Sequence, residues 1–343
     1  MNSNATNQSQ MHKLRMGHGV EVVKKFMSIH RTFSAPNGFA RPLGCLLEKP
    51  KSKASLASFS KKDGTASFLY EVPHTVCRED DKMMVSAMMA VFDELSTVGY
   101  MHMDKSMRWG VSTNLSTTLL GNASKGDELL MEVSYDKMGR NLGYCHMKLK
   151  NAKTGTLVAQ GQHIKYMPVS WLYDNVLSLP LILPTILKML FKFNQAGEAI
   201  SRTFLGEKVI PAPPSGRDIE VIDNLDNIGE GFYMQQDKES GAWIFEAKQR
   251  MCNPMSFHGG AAAMAAEKAF YLNSSSLGLP VEEVTRMDMN YLSTINKSNS
   301  KLVSVQVDEE DKTGDDVVAV TKAVRGSLSQ NNQAKMLFEL HYR

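Results

Sequence analysis

The segment Asn253-Pro254-Met255-Ser256-Phe257-His258-Gly259-Gly260 leads directly into an alanine-rich run, Ala261–Ala269. Two glycines followed by small, strongly helix-forming residues predict a helix that begins at about Gly259 and packs closely against its neighbours. The first N–H groups of a helix lack intrahelical acceptors and carry partial positive charge, so they can hold an oxygen that gains negative charge. The same residues are also typical of an ordinary loop before a helix.

The composition is that of a soluble globular protein long enough for two hydrophobic cores, with 343 residues, 43% of them hydrophobic and 22% charged. A net charge of +3 is too small to indicate nucleic-acid binding. Four cysteines are scattered without a CxxC pair: Cys45, Cys77, Cys145 and Cys252. We therefore expect reduced thiols, no metal site and a cytoplasmic protein.

Two further segments bear on location. Residues 1–19 contain no acidic residue and no apolar core, which predicts a disordered tail and excludes a secretory signal, while their basic residues leave a mitochondrial transit peptide as the alternative. The apolar run from Val176 to Leu187 is interrupted by Pro180 and Pro184, and it is shorter than the ~20 residues that a spanning helix needs. We expect a connecting helix there, with weak association with a membrane surface as the alternative.

The order of the predicted elements occurs twice. In the first copy, a lead-in helix (20–32) and a polar loop reaching about residue 62 precede a strand (65–72), a helix (82–98) and four strands (110–120, 128–137, 142–151 and 156–166). The second copy has a strand (242–248), a helix (259–272) and four strands (284–292, 302–308, 317–327 and 335–342). A repeat of about 175 positions indicates two units of one type. We predict an α+β fold in which the two sheets meet edge to edge.

The chain resembles the hotdog-fold acyl-CoA thioesterases of the phenylacetate-degradation (PaaI-like) type. The tracts that carry the resemblance are Val91–Thr97, Gly110–Leu115, Lys153–Gly161, His258-Gly259-Gly260 and Asp288–Leu292. The resemblance implies two hotdog domains, each a long helix wrapped by antiparallel sheet, paired as an intramolecular pseudo-dimer. The expected divisions are a tail (1–19), a first domain with an N-terminal helix (20–168), a helical and Pro-rich linker (169–225) and a second domain (226–343).

The same resemblance implies one complete active site shared by the two copies. In the family, one unit supplies an Asn and a His-Gly-Gly loop, while its partner supplies an acidic residue on the helix and a Ser on the next strand. The acid follows the His by nine positions, which selects Glu267 in the second copy and Asp93 in the first, where Met84-Val85-Ser86 replaces the loop. The implied site therefore combines the catalytic residues Asp93, Ser112, Asn253, His258 and Gly259. A second site of Glu267 and Val85 is expected to be weak or inactive.

These residues have the chemistry that thioester hydrolysis needs. Asp93 would act as general base or nucleophile, with a pKa raised by burial, and the Gly259 N–H would polarise the carbonyl. Asn253 would orient the water, Ser112 would support Asp93, and His258 would shape the loop. The expected reaction converts acyl-CoA to free acid and CoA without a cofactor, since coenzyme A is part of the substrate. A homodimer of the whole chain is a further possibility.

Two other functions fit parts of the pattern. A non-catalytic acyl-CoA-binding or lipid-binding hotdog protein would result if both sites had decayed, as the altered loop of the first copy allows. A thioester dehydratase or hydratase would need a His after the acid on the same helix, and neither Asp93 nor Glu267 has one at a suitable spacing.

Overall fold

The computed structural model describes residues 39–40, 43–45, 53–104, 108, 110–167, 234–246, 251, 257–276, 283–293, 295, 302–308, 322–330 and 333–342. Several predicted features lie outside these residues: the tail at 1–19, the lead-in helix at 20–32, the linker at 169–225 with its apolar run, and Asn253.

Each half of the chain contains one long helix and six strands among the described residues. The first half comprises β1 (Ala54–Ser60), β2 (Thr65–Glu71), a 3₁₀ turn (His74–Val76), α1 (Val85–Met103), β3 (Val111–Leu119), β4 (Glu128–Met138), β5 (Leu142–Asn151) and β6 (Leu157–Tyr166). The second half comprises β7 (Gln235–Gln236), β8 (Trp243–Glu246), α2 (Gly259–Ser276), β9 (Val284–Tyr291), β10 (Leu302–Asp308), β11 (Lys322–Gln330) and β12 (Gln333–Tyr342).

The strands of the described residues form one antiparallel sheet of 12, in the order β1-β2-β4-β5-β6-β3-β9-β12-β11-β10-β8-β7. Reading outward from the centre, the two halves of the sheet repeat the same order. The central pair is β3 and β9, with Asn114 opposite Asn290, and the Asn114 Nδ2–H donates to Asn290 Oδ1 at 3.0 Å. Main-chain hydrogen bonds therefore run continuously from one half to the other.

The two helices pack against each other beside this central pair. The alanines at positions 261–263, 265 and 266 of α2 are fully buried, as the alanine-rich run predicts for a closely packed helix. Contact is closest at Gly260, where an added Cβ would lie 2.6 Å from Ala90 Cβ and 2.7 Å from Ala90 Cα. Normal carbon contacts are ~3.5–4.0 Å, so a residue without a side chain is required where α2 crosses α1.

The polar loop predicted up to about residue 62 is wrong over its last part, which forms β1. Residues Ala54–Ser60 pair with β2 through a tight turn, in which Gly64 adopts a φ of 64°. Small and polar residues have low strand propensity, but an open edge of an existing sheet supplies hydrogen-bond partners that propensity does not count. The first helix also continues five residues beyond the predicted end at 98, to Met103.

Neither helix of the described residues is both long and apolar enough to cross a bilayer.

Candidate active site

Asp93 lies in the middle of α1 and is only 4% exposed. From its own half, Ser112 Oγ of β3 donates a hydrogen bond to Asp93 Oδ1 at 3.1 Å. From the other half, the Gly260 N–H in the first turn of α2 donates to Asp93 Oδ2 at 3.2 Å. The carboxylate of the first half is thus held directly against the helix N-terminus of the second half.

A chain of hydrogen bonds behind Ser112 fixes its orientation. His163 Nε2 lies 2.9 Å from Ser112 Oγ, and His163 Nδ1 lies 2.7 Å from Ser96 Oγ. Burial, with Lys165 nearby, lowers the pKa of His163 to about 3, so the ring is neutral. A neutral ring that accepts from Ser96 at Nδ1 donates from Nε2 to Ser112, which leaves the Ser112 O–H directed at Asp93.

Lys165 supplies a cationic group on the same face of β6. Its Nζ lies 4.0 Å from Asp93 Oδ1 and donates to Thr97 Oγ1 at 2.9 Å. The side chain is 4% exposed, and burial lowers the pKa of Lys165 although Asp93 acts in the opposite direction. A protonated amine beside a carboxyl group favours the ionised form of that group.

The pKa of Asp93 is therefore lowered from its ordinary value of 3.8. Burial alone would raise the pKa of this carboxyl, but the nearby positive groups, His258 and Lys165 foremost, more than offset it. The prediction that burial raises the pKa of Asp93 is wrong for this reason. Asp93 is ionised throughout the physiological range.

His258 connects the loop to α1. Its Nε2 lies 3.0 Å from Glu94 Oε2, while its Nδ1 lies 3.0 Å from the Gly260 N–H and 3.5 Å from Asp93 Oδ2. Burial favours the neutral ring, but Asp93 and Glu94 favour the charged ring more strongly, so the pKa of His258 is raised. The loop backbone is fixed as well, because the His258 N–H donates to the Met251 carbonyl at 2.9 Å.

Gly259, the first residue of α2, differs from Gly260 in its hydrogen bonding. Within the described part of the chain, no acceptor pairs with the Gly259 N–H. A Cβ added at Gly259 would lie 2.8 Å from Asp93 Oδ2 and 3.0 Å from the Tyr291 hydroxyl. The Asp93 carboxylate and the Tyr291 hydroxyl therefore both lie close to Gly259, whose N–H has no acceptor in the part of the chain that the structure describes.

Two curated proteins that match part of the chain carry the same name. Acyl-coenzyme A thioesterase 13 of Mus musculus is 32% identical over 75 residues, which are 22% of this chain and 53% of the mouse protein. The protein of the same name in Homo sapiens is 29% identical over an equal length. The chain thus spans about half the length of the curated relatives it matches. No family model matches the sequence.

A solved structure extends the comparison to most of the chain. The Lactobacillus plantarum protein named provisionally as an oleoyl thioesterase superposes on 82% of this chain and 97% of its own, with a TM-score of 0.50 and 9% identity. Identity this low shows the fold alone. The resemblance to the hotdog-fold acyl-CoA thioesterases is confirmed.

Four of the five residues predicted for the complete site lie together, namely Asp93, Ser112, His258 and Gly259, and Asn253 is outside the described residues. Their catalytic roles stay predictions. In the described part of the chain, no cluster of His, Cys, Asp and Glu side chains is arranged to hold a metal ion.

Glu267 occupies the equivalent place on α2. It is 2% exposed and accepts a hydrogen bond from the Ser86 N–H at 2.8 Å, as Asp93 accepts one from Gly260. Ser86 is thus the counterpart of Gly260, and Val85, the buried first residue of α1, is the counterpart of Gly259. Burial raises the pKa of Glu267, in the opposite direction to Asp93.

The strand registers explain this difference. A register irregularity follows the pair Ser112–Lys165 in β3 and β6, and another follows the pair Val284–Tyr342 in β9 and β12. Val284 thus takes the place of Ser112 in the second half. By the same count, Tyr342 replaces Lys165, and Leu340 replaces His163. Glu267 thus lacks counterparts of Ser112, His163 and Lys165. Ser86, the Arg78 guanidinium and the Tyr271 hydroxyl lie near Glu267, but they lower its pKa less than burial raises it.

Sequence reasoning missed four groups of the site: His163, Lys165, Glu94 and Tyr291. A signal existed for the first two. In β6, residues 161, 163 and 165 alternate as buried positions, so a His and a Lys two residues apart on a predicted inward face indicate a functional site rather than a core.

Proposed function

We propose that the protein is an acyl-CoA thioesterase with one composite active site between its two halves, which pair as an intramolecular pseudo-dimer of hotdog units. The observation that carries the proposal is the contact between the ionised Asp93 of α1 and the first turn of α2, through the Gly260 N–H at 3.2 Å. A carboxylate beside a helix N–H that has no acceptor among the described residues supplies the two kinds of group that acyl transfer to water requires.

In the proposed reaction, the thioester carbonyl oxygen faces the Gly259 N–H and its carbon faces Asp93. Asp93 takes a proton from a water molecule whose oxygen attacks the carbonyl carbon, and the negative charge on the carbonyl oxygen is stabilised by the N–H. The C–S bond then breaks, and the proton on Asp93 passes to the departing CoA thiolate. The products are the free acid and CoA.

Direct attack by Asp93 on the carbonyl carbon is the alternative path. It would release CoA and leave a mixed anhydride that water then hydrolyses. The lowered pKa of Asp93 favours neither path on its own, since it makes the ionised carboxylate abundant but less basic. A single turnover in ¹⁸O-labelled water separates them, because only the anhydride path can place the label in Asp93.

The substrate class rests on the relatives. The curated matches are named acyl-coenzyme A thioesterases, and we extend that class to this chain. The strands beside Glu267 carry Val284, Leu340 and Tyr342 where those beside Asp93 carry Ser112, His163 and Lys165, and this difference supports one active site rather than two.

The experiment is release of free CoA thiol from acyl-CoA esters of short, medium and long chain length, followed with a thiol-reactive chromogenic reagent. We expect wild type to release thiol, Asp93→Asn to be slower by ~10²–10⁴-fold, and Glu267→Gln to retain most of the activity. Thermal melting of each variant checks that it is folded. If wild type binds acyl-CoA but releases no thiol with any ester, the protein is the non-catalytic binder instead.

A further inference from the structure

Tyr291, the last residue of β9, carries a buried hydroxyl that has no hydrogen-bond partner among the described residues. Buried polar side-chain atoms in folded proteins are nearly always paired, because an unpaired one has lost its hydrogen bonds to water without replacing them. Burial, and then the negative charge of Asp93, raise the pKa of Tyr291 well above its ordinary value. The hydroxyl is therefore protonated at all relevant pH values and is a donor without an acceptor.

The Tyr291 hydroxyl lies close to both Gly259 and Asp93. A Cβ added to Gly259 would lie 3.0 Å from the Tyr291 hydroxyl and 2.8 Å from Asp93 Oδ2. Each oxygen of Asp93 already accepts a hydrogen bond, from Ser112 and from the Gly260 N–H. The Tyr291 O–H and the Gly259 N–H therefore remain as two donors beside Asp93 that have no acceptor among the described residues.

The repeat supplies an independent comparison. Val284 and Ser112 are equivalent by strand register, and an equal count along β9 and β3 places Leu119 where the other half has Tyr291. The half that supplies His258 and Gly259 therefore also supplies the phenol, while the equivalent position near Glu267 is apolar. A hydroxyl at this strand position is therefore present beside Asp93 and absent beside Glu267.

We propose that Tyr291 is a further catalytic residue, whose hydroxyl donates a hydrogen bond to the thioester carbonyl oxygen and to the oxyanion that forms from it. It acts beside the Gly259 N–H, so that two donors share the developing charge. This inference rests on the proposed function for its substrate. It assigns the carbonyl-polarising donors to the second half of the chain and the carboxylate to the first.

Turnover of Tyr291→Phe is the first measurement. Loss of one oxyanion donor lowers kcat by ~10²–10³-fold in comparable sites, so we expect a fall of that size with KM nearly unchanged. Since the variant removes only an unpaired hydroxyl, its Tm should equal or exceed that of wild type. The matched control is Tyr271→Phe, which removes a phenol hydroxyl that Arg78 contacts at 3.4 Å beside Glu267, and it should leave kcat unchanged.

Two results would overturn the inference. One is a kcat for Tyr291→Phe within twofold of wild type. The other is a fall in kcat accompanied by a shift of the acid limb of the pH profile, because the hydroxyl would then act only by positioning Asp93.

A spectroscopic measurement separates this inference from the proposed function. The infrared stretch of a ¹³C-labelled thioester carbonyl is recorded for acyl-CoA bound to Asp93→Asn, which does not turn the ester over, and to the double variant with Tyr291→Phe. We expect the stretch to move to higher frequency in the double variant. An unchanged stretch refutes the Tyr291 assignment even if wild type proves to bind without hydrolysing.

Discussion

Replacing Gly259 by alanine would test the site without changing a charged group. The new Cβ would lie 2.8 Å from Asp93 Oδ2 and 3.0 Å from the Tyr291 hydroxyl, whereas normal contacts are ~3.5 Å or longer. Asp93 cannot simply turn away, because Ser112 holds Oδ1 and the Gly260 N–H holds Oδ2. The methyl group must therefore displace the carboxylate and also fill the space that the substrate carbonyl needs.

The expected loss can be set from that displacement. A misplacement of about 1 Å in an active site costs ~10²-fold in rate, equivalent to ~2.7 kcal/mol of transition-state stabilisation. We expect kcat/KM for thiol release to fall by about that factor. The Tm should change little, because the atoms that move are at the ends of side chains.

Gly260→Ala provides the contrast. Its Cβ would meet Ala90 Cβ at 2.6 Å and Ala90 Cα at 2.7 Å, so the helices themselves must separate. Overpacking of this kind costs ~1–3 kcal/mol, and removing a glycine from a helix returns only ~0.5–1 kcal/mol. Denaturant unfolding should show a lower free energy of unfolding for Gly260→Ala. Wild-type kcat/KM in Gly259→Ala would refute the reasoning for the site.

Three further predictions concern charge. Because the pKa of Asp93 is lowered, the acid limb of the pH profile of kcat/KM should lie below the usual pKa of an Asp side chain. Activity should therefore be flat between about pH 5 and 7, and an acid limb at about pH 6 would contradict the prediction. Lys165→Met removes the amine 4.0 Å from Asp93, so the acid limb should move to higher pH in the same assay. Glu267→Gln keeps an acceptor for the Ser86 N–H while removing a carboxyl whose folded pKa is raised. The stability that wild type gains from protonated Glu267 is present below the unfolded pKa and is lost as pH rises through the folded pKa. The variant should therefore gain stability relative to wild type from about pH 4 to pH 8 in denaturant titrations. A stability difference that stays constant over this range would contradict the prediction.

The long helices and most strands were predictable because their signals are local: apolar residues at helical spacing in α1, a run of helix-forming alanines in α2 and alternation in the strands. Strand β10 begins and ends at the predicted residues, 302 and 308, and α2 begins at the predicted Gly259. Strand β1 was not predictable in the same way, because its serines and alanines form a strand only by completing an existing edge. A helix can be predicted from the length and residue pattern of its own segment, whereas an edge strand also depends on the strand that it pairs with.

The residues of the candidate site were likewise predictable only in part. The resemblance to the thioesterases, carried by the tract Val91–Thr97, selected Asp93 from the sequence. Tyr291 could not be selected, because its place beside Asp93 depends on strand register and on the irregularities beside Ser112 and Val284. The direction of the Asp93 pKa also escaped prediction, since it is a balance between burial and charges that arrive from β6 and from the loop of the other half.

A double-mutant cycle between Asp93→Asn and Gly259→Ala tests the composite site most directly, with kcat/KM for thiol release as the measurement. Residues that act on one substrate as a unit have strongly non-additive effects. If the first half supplies the carboxylate and the second half supplies the donor to the same thioester, the double variant should be little slower than Asp93→Asn alone. Fully multiplicative losses, each variant reducing the rate by its own factor, would contradict a shared site.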